Sequence, residues 1–79
     1  MVRAYVLITT EVGKMREIFD KLKEMDPVKS VDMLTGPYDI IVQGEAENMT
    51  GLTDEIVEKI RDFSGVKETT TNIVIDSSD

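Results

Sequence analysis

The chain has 79 residues, a formal net charge of -7 and neither cysteine nor histidine. A chain of this length makes one domain, which we expect to span residues 1–79. Domains this small bury a limited share of their surface, and here no disulfide or Cys/His metal site can compensate. The sequence therefore predicts subunit association and no metal or cofactor. The 16 acidic against 9 basic residues argue against direct nucleic-acid binding, which needs clustered Lys and Arg.

The amino terminus, Met1-Val2-Arg3-Ala4-Tyr5, lacks the features of a signal peptide, because its apolar run ends at Ile8 and no small-residue cleavage site follows. No stretch has the length of a membrane span. From the sequence we expect a cytoplasmic protein without a membrane partner.

The first half of the chain changes its apolar period twice. Residues 4–9 are a continuous apolar, β-branched run, which predicts a strand covered on both faces. Helical spacing follows at Met15, Ile18, Phe19, Leu22 and Met25. Asp26-Pro27 ends this helix, because the residue before proline avoids helical dihedral angles. Residues 28–35 then predict a strand with exposed polar positions at Lys29, Ser30 and Asp32.

The second half repeats this order. After the turn signal Gly36-Pro37, residues 38–43 predict a second apolar strand, and the chain leaves it at Gly44. Either Asn48 or Thr50 is placed to cap the next helix. That helix carries its apolar side at Leu52, Ile56, Val57, Ile60 and Phe63. Gly65 suits a left-handed position after the helix, and residues 66–75 predict the last strand.

The two halves share a weak repeat, because residues 25–31 resemble residues 63–69 and each segment closes a helix and opens a strand. Two strand–helix–strand halves predict an α+β, ferredoxin-like βαββαβ fold. Right-handed crossovers place both helices on one face of a four-stranded antiparallel sheet. The first and third strands, which are the most apolar, are predicted to be central, and the more polar second and fourth strands to be edges.

The predicted central strands are apolar on both faces. Val6 and Ile8 alternate with Tyr5 and Leu7, and Ile41 opposes its neighbours in the third strand in the same way. One face is covered by helices, so the other carries an apolar patch that a second copy would cover about a two-fold axis. The alternative is a partly apolar surface that water tolerates.

Three segments resemble one family. They are residues 4–8, residues 31–42 with Thr35-Gly36-Pro37-Tyr38-Asp39 at their centre, and residues 65–74. Together they resemble the effector-binding (RAM) domain of the Lrp/AsnC, or feast/famine, regulators. The resemblance implies a dimeric α+β barrel-like assembly of two sheets, a higher-order ring of dimers, and an amino-acid effector bound between dimers. Family members typically carry an amino-terminal helix-turn-helix, for which this sequence leaves no room, so we expect a stand-alone member.

The strongest candidate for the ligand site is Thr35, Gly36, Pro37, Tyr38 and Asp39. A free amino acid needs N–H or hydroxyl donors for its carboxylate and an acceptor for its ammonium. Gly36 allows close backbone approach, Tyr38 is placed to wall a pocket, and Asp39 to bind the ammonium. From the residues alone, a hairpin turn with Asp39 in a local hydrogen bond is the simpler interpretation. The family resemblance favours the ligand site.

Thr69 and Thr71 form the second candidate set, since hydroxyls near this position line the effector site in the family the chain resembles. They share one face of the last strand, with Thr70 on the other. The alternative is the β-propensity of threonine on an edge strand. The acidic group Asp54, Glu55 and Glu58 is interpreted as a solvated helix face.

Two functions remain open from the sequence. The first is an amino-acid-binding module of the Lrp/AsnC regulator type, acting through homo-oligomers or by co-assembly with full-length regulators. The alternative is a small cofactor-independent enzyme of the dimeric ferredoxin-like type, with Tyr38 and Asp39 as acid and base. The absence of His and Cys, the most adaptable catalytic groups near neutral pH, weakens the enzyme hypothesis.

Overall fold

The computed structural model describes residues 1–76 and 78. Four strands are present, β1 (Val2–Thr10), β2 (Val28–Met33), β3 (Ile40–Ala46) and β4 (Val66–Ile73). Helix α1 (Met15–Lys23) connects β1 to β2. Between β3 and β4 lies a continuous second helix made of α2 (Met49–Leu52), a π-helical turn (Thr53–Val57) and α3 (Glu58–Arg61). The predicted order of elements is confirmed.

The four strands form one sheet in the order β2-β3-β1-β4, and all three neighbouring pairs are antiparallel. The apolar strands β1 and β3 are therefore central and the more polar β2 and β4 are edges, as predicted. This is the ferredoxin-like arrangement, with the helices packed on one face of the sheet. None of the helices in the described part of the chain is long and apolar enough to cross a membrane.

The core lies between the sheet and the helices. Eleven apolar residues are buried there: Ala4, Val6, Ile8, Ile18, Leu22, Ile40, Val42, Ala46, Leu52, Ile56 and Ile60. Each fully buried Val, Leu or Ile stabilises a fold by about 1.5–3 kcal/mol relative to an exposed side chain. Nine of the eleven are of these three types. The helical spacing seen in the sequence therefore corresponds to the buried faces of both helices.

Strand β3 differs from its prediction, since it continues through Gly44 to Ala46 instead of ending before the glycine. The physical reason is that Gly44 pairs with Ala4 of β1 and with Val28 of β2, so the sheet continues through it. A Cβ atom at Gly44 would lie 2.7 Å from Cδ1 of Ile56, so a larger residue here would displace the end of that side chain. Strands β2 and β4 end two residues earlier than predicted, at Met33 and Ile73.

The internal repeat has a counterpart in the turns that follow the two helices. Val28 N donates to Met25 O at 3.0 Å, and Val66 N donates to Phe63 O at 3.3 Å, so each strand opens with the same hydrogen bond. Gly65 has φ +96°, the positive value that its position was predicted to need. Of the two predicted caps, Asn48 caps the second helix, because its side chain accepts from Gly51 N at 2.8 Å.

The face of the sheet opposite the helices is called the open face here. It carries Tyr5 and Leu7 of β1 and Ile41 of β3, which alternate along their strands with buried core residues. Leu7 and Ile41 are direct neighbours across the two central strands. Tyr5 remains 39% exposed, and the other two are half-buried. The structure thus places the predicted apolar residues on the helix-free side.

Candidate functional site

The segment 35–39 forms the tip of the connection between β2 and β3. A hydrogen bond from Leu34 N to Asp39 O, 2.8 Å long, closes the hairpin at its base. Thr35, Gly36 and Pro37 are exposed, whereas Tyr38 is half-buried. Gly36 has φ +112°, a value that favours glycine, and a Cβ atom added there would meet nothing within 4 Å. Glycine is therefore favoured at this position by its backbone conformation and not by a lack of space.

Asp39 is held at the base of this loop by β1. Its Oδ2 atom accepts from Thr10 N at 2.8 Å and from Thr10 Oγ1 at 3.3 Å, and its own N donates to Ile8 O at 2.9 Å. The hairpin interpretation expected a local hydrogen bond for Asp39, but the hydrogen bonds to its carboxylate come from Thr10, which is 29 positions away. A carboxylate accepts about four hydrogen bonds, so Asp39 keeps capacity for a ligand.

Thr10 and Thr9 are the residues of this region that the sequence did not single out. Thr10 orients the Asp39 carboxylate, and Thr9 has a buried hydroxyl without a hydrogen-bond partner among residues 1–76 and 78. A buried hydroxyl left unsatisfied costs about 1–3 kcal/mol, which a ligand or a second protomer would recover. In the sequence, these two threonines are recognisable only as the polar end of an otherwise apolar strand.

Thr69 and Thr71 lie on β4, away from segment 35–39. They line a groove of ≈ 690 Å³ along the outer edge of β4, which we call the β4 groove. Its lining consists of Val57, Arg61, Val66, Lys67, Glu68, Thr69, Thr70 and Thr71. No residue of segment 35–39 lines it, because β1 lies between: Ile8 binds Asp39 on one side and is the register partner of Thr69 on the other. Within one protomer the two predicted sets therefore do not share a pocket.

The acidic residues Asp54, Glu55 and Glu58 are exposed on the second helix, as the solvated-face interpretation predicted. Two further depressions flank this helix, one containing Glu55 and Lys59 and the other Glu45, Asp54 and Glu55. Among the residues that the structure describes, no group of three or more Asp and Glu side chains has the geometry to hold a metal ion.

The fold and these segments agree with one family. The model of the Lrp/AsnC ligand binding domain matches residues 3–78, and the chain belongs to this family. An HTH-type transcriptional regulator of Pyrococcus furiosus is 30% identical over 71 residues, which are 90% of this chain and 48% of that regulator. The chain thus spans about half the length of the regulators that it matches.

Solved structures show the same fold. The crystal structure of FFRP-DM1 is 40% identical with a TM-score of 0.90, and the match covers 95% of this chain and all of that one. A transcriptional regulator of Neisseria meningitidis, solved in complex with L-Met, has a TM-score of 0.84 at 19% identity. That match covers 95% of this chain and 50% of the regulator, and at this identity it supports the fold alone.

One relative is an enzyme. Homocitrate synthase of Sulfolobus acidocaldarius is 39% identical over 51 residues, which are 65% of this chain but 11% of the synthase. The match therefore transfers no synthase activity to this chain, and the relatives that it matches over 90% of its length are named as transcriptional regulators.

Proposed function

We propose that this chain is an amino-acid-binding module of the Lrp/AsnC regulator type that works as an oligomer. The observation that carries the proposal is the family match over residues 3–78, combined with an exposed 35–37 loop above an anchored Asp39. The module is regulatory in class. We propose an amino acid as its ligand, for which the Neisseria regulator of the same fold, solved in complex with L-Met, is a precedent.

The geometry of Asp39 suits the ammonium group of an amino acid. Thr10 fixes Oδ2 through two hydrogen bonds, so the carboxylate is oriented before a ligand arrives. A charge-assisted bond to ammonium is about twice as strong as a neutral one. Next to it, the exposed Thr35 supplies a hydroxyl for the ligand carboxylate, and Gly36 lets the ligand approach the backbone closely. Tyr38 forms one wall of the proposed pocket.

The proposed assembly is a dimer through the open face, with dimers joined into a ring. Tyr5, Leu7 and Ile41 form an apolar strip along the two central strands, and covering it with the same strip of a second copy buries both. A barrel-like pair of stacked sheets results, with sheets about 10 Å apart. Because segment 35–39 and the β4 groove do not meet within one protomer, a ring brings them together between neighbours in this proposal.

We also propose a protein partner for the module, a full-length regulator of the same family. The matched regulators are about twice as long as this chain and are named HTH-type. Homologous domains associate through equivalent surfaces, so co-assembly with such a regulator would transmit the amino-acid signal to DNA through the partner. The net charge of -7 agrees with a chain that does not itself contact DNA. We propose the cytoplasm as its location.

Asp39→Asn tests the role of this residue. The amide oxygen still accepts from Thr10, so the loop stays in place, while the negative charge is lost. We expect amino-acid affinity, measured by titration calorimetry, to fall about ten- to hundredfold, which is the weight of a hydrogen bond to a charged group. The matched control is Asp54→Asn, an exposed carboxylate of the second helix. Equal affinity for wild type and Asp39→Asn would remove Asp39 from the site.

A further inference from the structure

A second exposed apolar surface lies on the side of the sheet that carries the helices. Ile73 is the register partner of Ala4, which is buried beneath the helices, so Ile73 lies on the helix side as well. Val74 N donates to Arg3 O at 2.9 Å, so the pairing with β1 continues past the end of β4 toward Ile75. Ile75 is 97% exposed, and it shares a side with Ile73 because the two are two positions apart. The proposed dimer through the open face leaves both isoleucines uncovered.

The second helix begins close to these isoleucines. Ala46, where β3 ends, pairs with Val2 at the start of β1, and the helix starts three residues later. Met49, Thr53 and Val57 recur at every fourth residue, the spacing that places side chains on one side of a helix. Val57 lines the β4 groove, so this side of the helix faces β4. Met49 therefore faces the same corner of the molecule, where it is 51% exposed.

Met1 completes this group, because it lines a depression of ≈ 530 Å³ together with Asn48 and Gly51 at the start of the same helix. Of the seven large apolar side chains that are exposed in the described part of the chain, four lie here. We call them the apolar corner: Met1, Met49, Ile73 and Ile75.

The apolar corner has a negatively charged rim. Four carboxylates line the depression beside Met1: Glu45, Glu47, Asp54 and Glu55. The three ion pairs within the described residues all lie on or beside α1, so none of them neutralises this rim. A surface that is apolar at its centre and charged around it is typical of a site for a protein partner.

We infer that the apolar corner binds a basic amphipathic helix of a partner protein. The apolar stripe of such a helix covers the corner, and its Lys and Arg side chains face the carboxylate rim. The spacing agrees with a helix, because Ile73 and Ile75 lie about 7 Å apart along their strand and apolar side chains four residues apart on a helix lie about 6 Å apart.

The charge of the rim distinguishes this occupant from others. A symmetric contact with a second copy sets two carboxylate rims against each other, which like charges oppose. A basic helix has no such conflict. The inference deepens the proposed co-assembly with an HTH-type regulator and rests on it for the source of the helix, because a protein that binds DNA carries clustered Lys and Arg.

Fluorescence anisotropy of a labelled peptide tests this inference on the full chain. The probe is an amphipathic peptide of about 18 residues with leucines on one face and lysines on the other, which is long enough to form a helix. A second peptide has glutamates in place of the lysines, and a third contains central prolines that break the helix. We expect the lysine peptide to bind, and the other two to bind at least about tenfold more weakly.

Ile75→Ser tests the corner itself. We expect its affinity for the lysine peptide to fall about tenfold or more, as the loss of a buried isoleucine contact predicts. The matched control is Val12→Ser, a fully exposed valine between β1 and α1, which is expected to bind like the wild type. Glu47→Gln is expected to weaken binding about two- to threefold at low salt and not at high salt. Glu11→Gln, an exposed carboxylate beside Val12, is its control.

The outcomes separate this inference from the proposed function. Equal affinity of the wild type and Ile75→Ser for the lysine peptide, or equal binding of the three peptides, overturns the inference. Light scattering checks the competing occupant, because a smaller assembly in Ile75→Ser shows that a second copy covers the corner and also overturns it. If amino acids raise Tm and no peptide binds, the proposed ligand function stands without this surface. If the lysine peptide binds and no amino acid does, the surface stands and the ligand function fails.

Discussion

The two faces of the sheet are built from the same central strands, but their side chains have different surroundings. On the covered face, Val6, Ile8, Ile40 and Val42 have no solvent exposure, because α1 and the second helix pack on them. On the open face, their chain neighbours Tyr5, Leu7 and Ile41 are only partly shielded. One apolar set is satisfied within the chain and the other is not. The difference shows why a protein this small is proposed to need a second copy.

The largest expected effect belongs to the covered face. Ile8→Ala removes a fully buried side chain between sheet and helices, and we expect it to lower the free energy of unfolding by about 2–5 kcal/mol. Denaturant unfolding at two or more protein concentrations measures it. Leu7→Ala, one residue along the strand, is the control, and we expect a smaller loss that depends on protein concentration. Equal, concentration-independent losses would remove the distinction between the faces.

A charge on the open face tests the assembly. Ile41→Glu places a carboxylate in the middle of the apolar strip, where burial against a second copy would leave it without a partner. We expect light scattering to show a dimer or larger ring for the wild type at micromolar concentration and mainly monomer for the variant. Asp32→Glu, on the neighbouring strand β2, is the conservative control. A wild type that is strictly monomeric would contradict the interface.

The smallest effect is expected at the margin of the open face. The hydroxyl of Ser30 donates to Oε1 of Gln43 at 3.4 Å in an exposed position. Ser30→Ala is expected to change the free energy of unfolding by less than about 0.5 kcal/mol, as exposed substitutions usually do. Circular dichroism during thermal unfolding is sufficient to measure this. A large loss would show that the strip reaches β2 and that the interface is wider than the central strands.

Much of the fold followed from periodicity, because the spacing of Ile18 and Leu22, or of Ile56 and Ile60, is enough to predict a buried helix face. The length of β3 did not follow. A glycine such as Gly44 weakens a strand, and only its pairing with both neighbouring strands explains why β3 continues through it. The π-helical turn could not be predicted either, because it depends on packing between elements and leaves the apolar spacing of the second helix intact.

Less of the candidate site than of the fold could be predicted from the sequence. Asp39 stands out beside Gly36 and Tyr38, but its partner Thr10 is distant in sequence and looks like any polar strand end. A contact between distant segments holds the Asp39 carboxylate in place, and a single sequence does not show which distant residues are in contact. The roles of Asp39, Thr69 and Thr71 in ligand binding remain predictions.

The most direct test of the central claim is thermal unfolding of the wild type in the presence of each of the twenty L-amino acids. A ligand that binds only the native state stabilises it by about 2.7 kcal/mol at a hundredfold excess over its Kd. For a domain of this size, each kcal/mol raises Tm by roughly 4–8 °C. We expect one or a few amino acids to raise Tm clearly while the others do not. A uniform response across all twenty would contradict the account of this chain as an amino-acid-binding module.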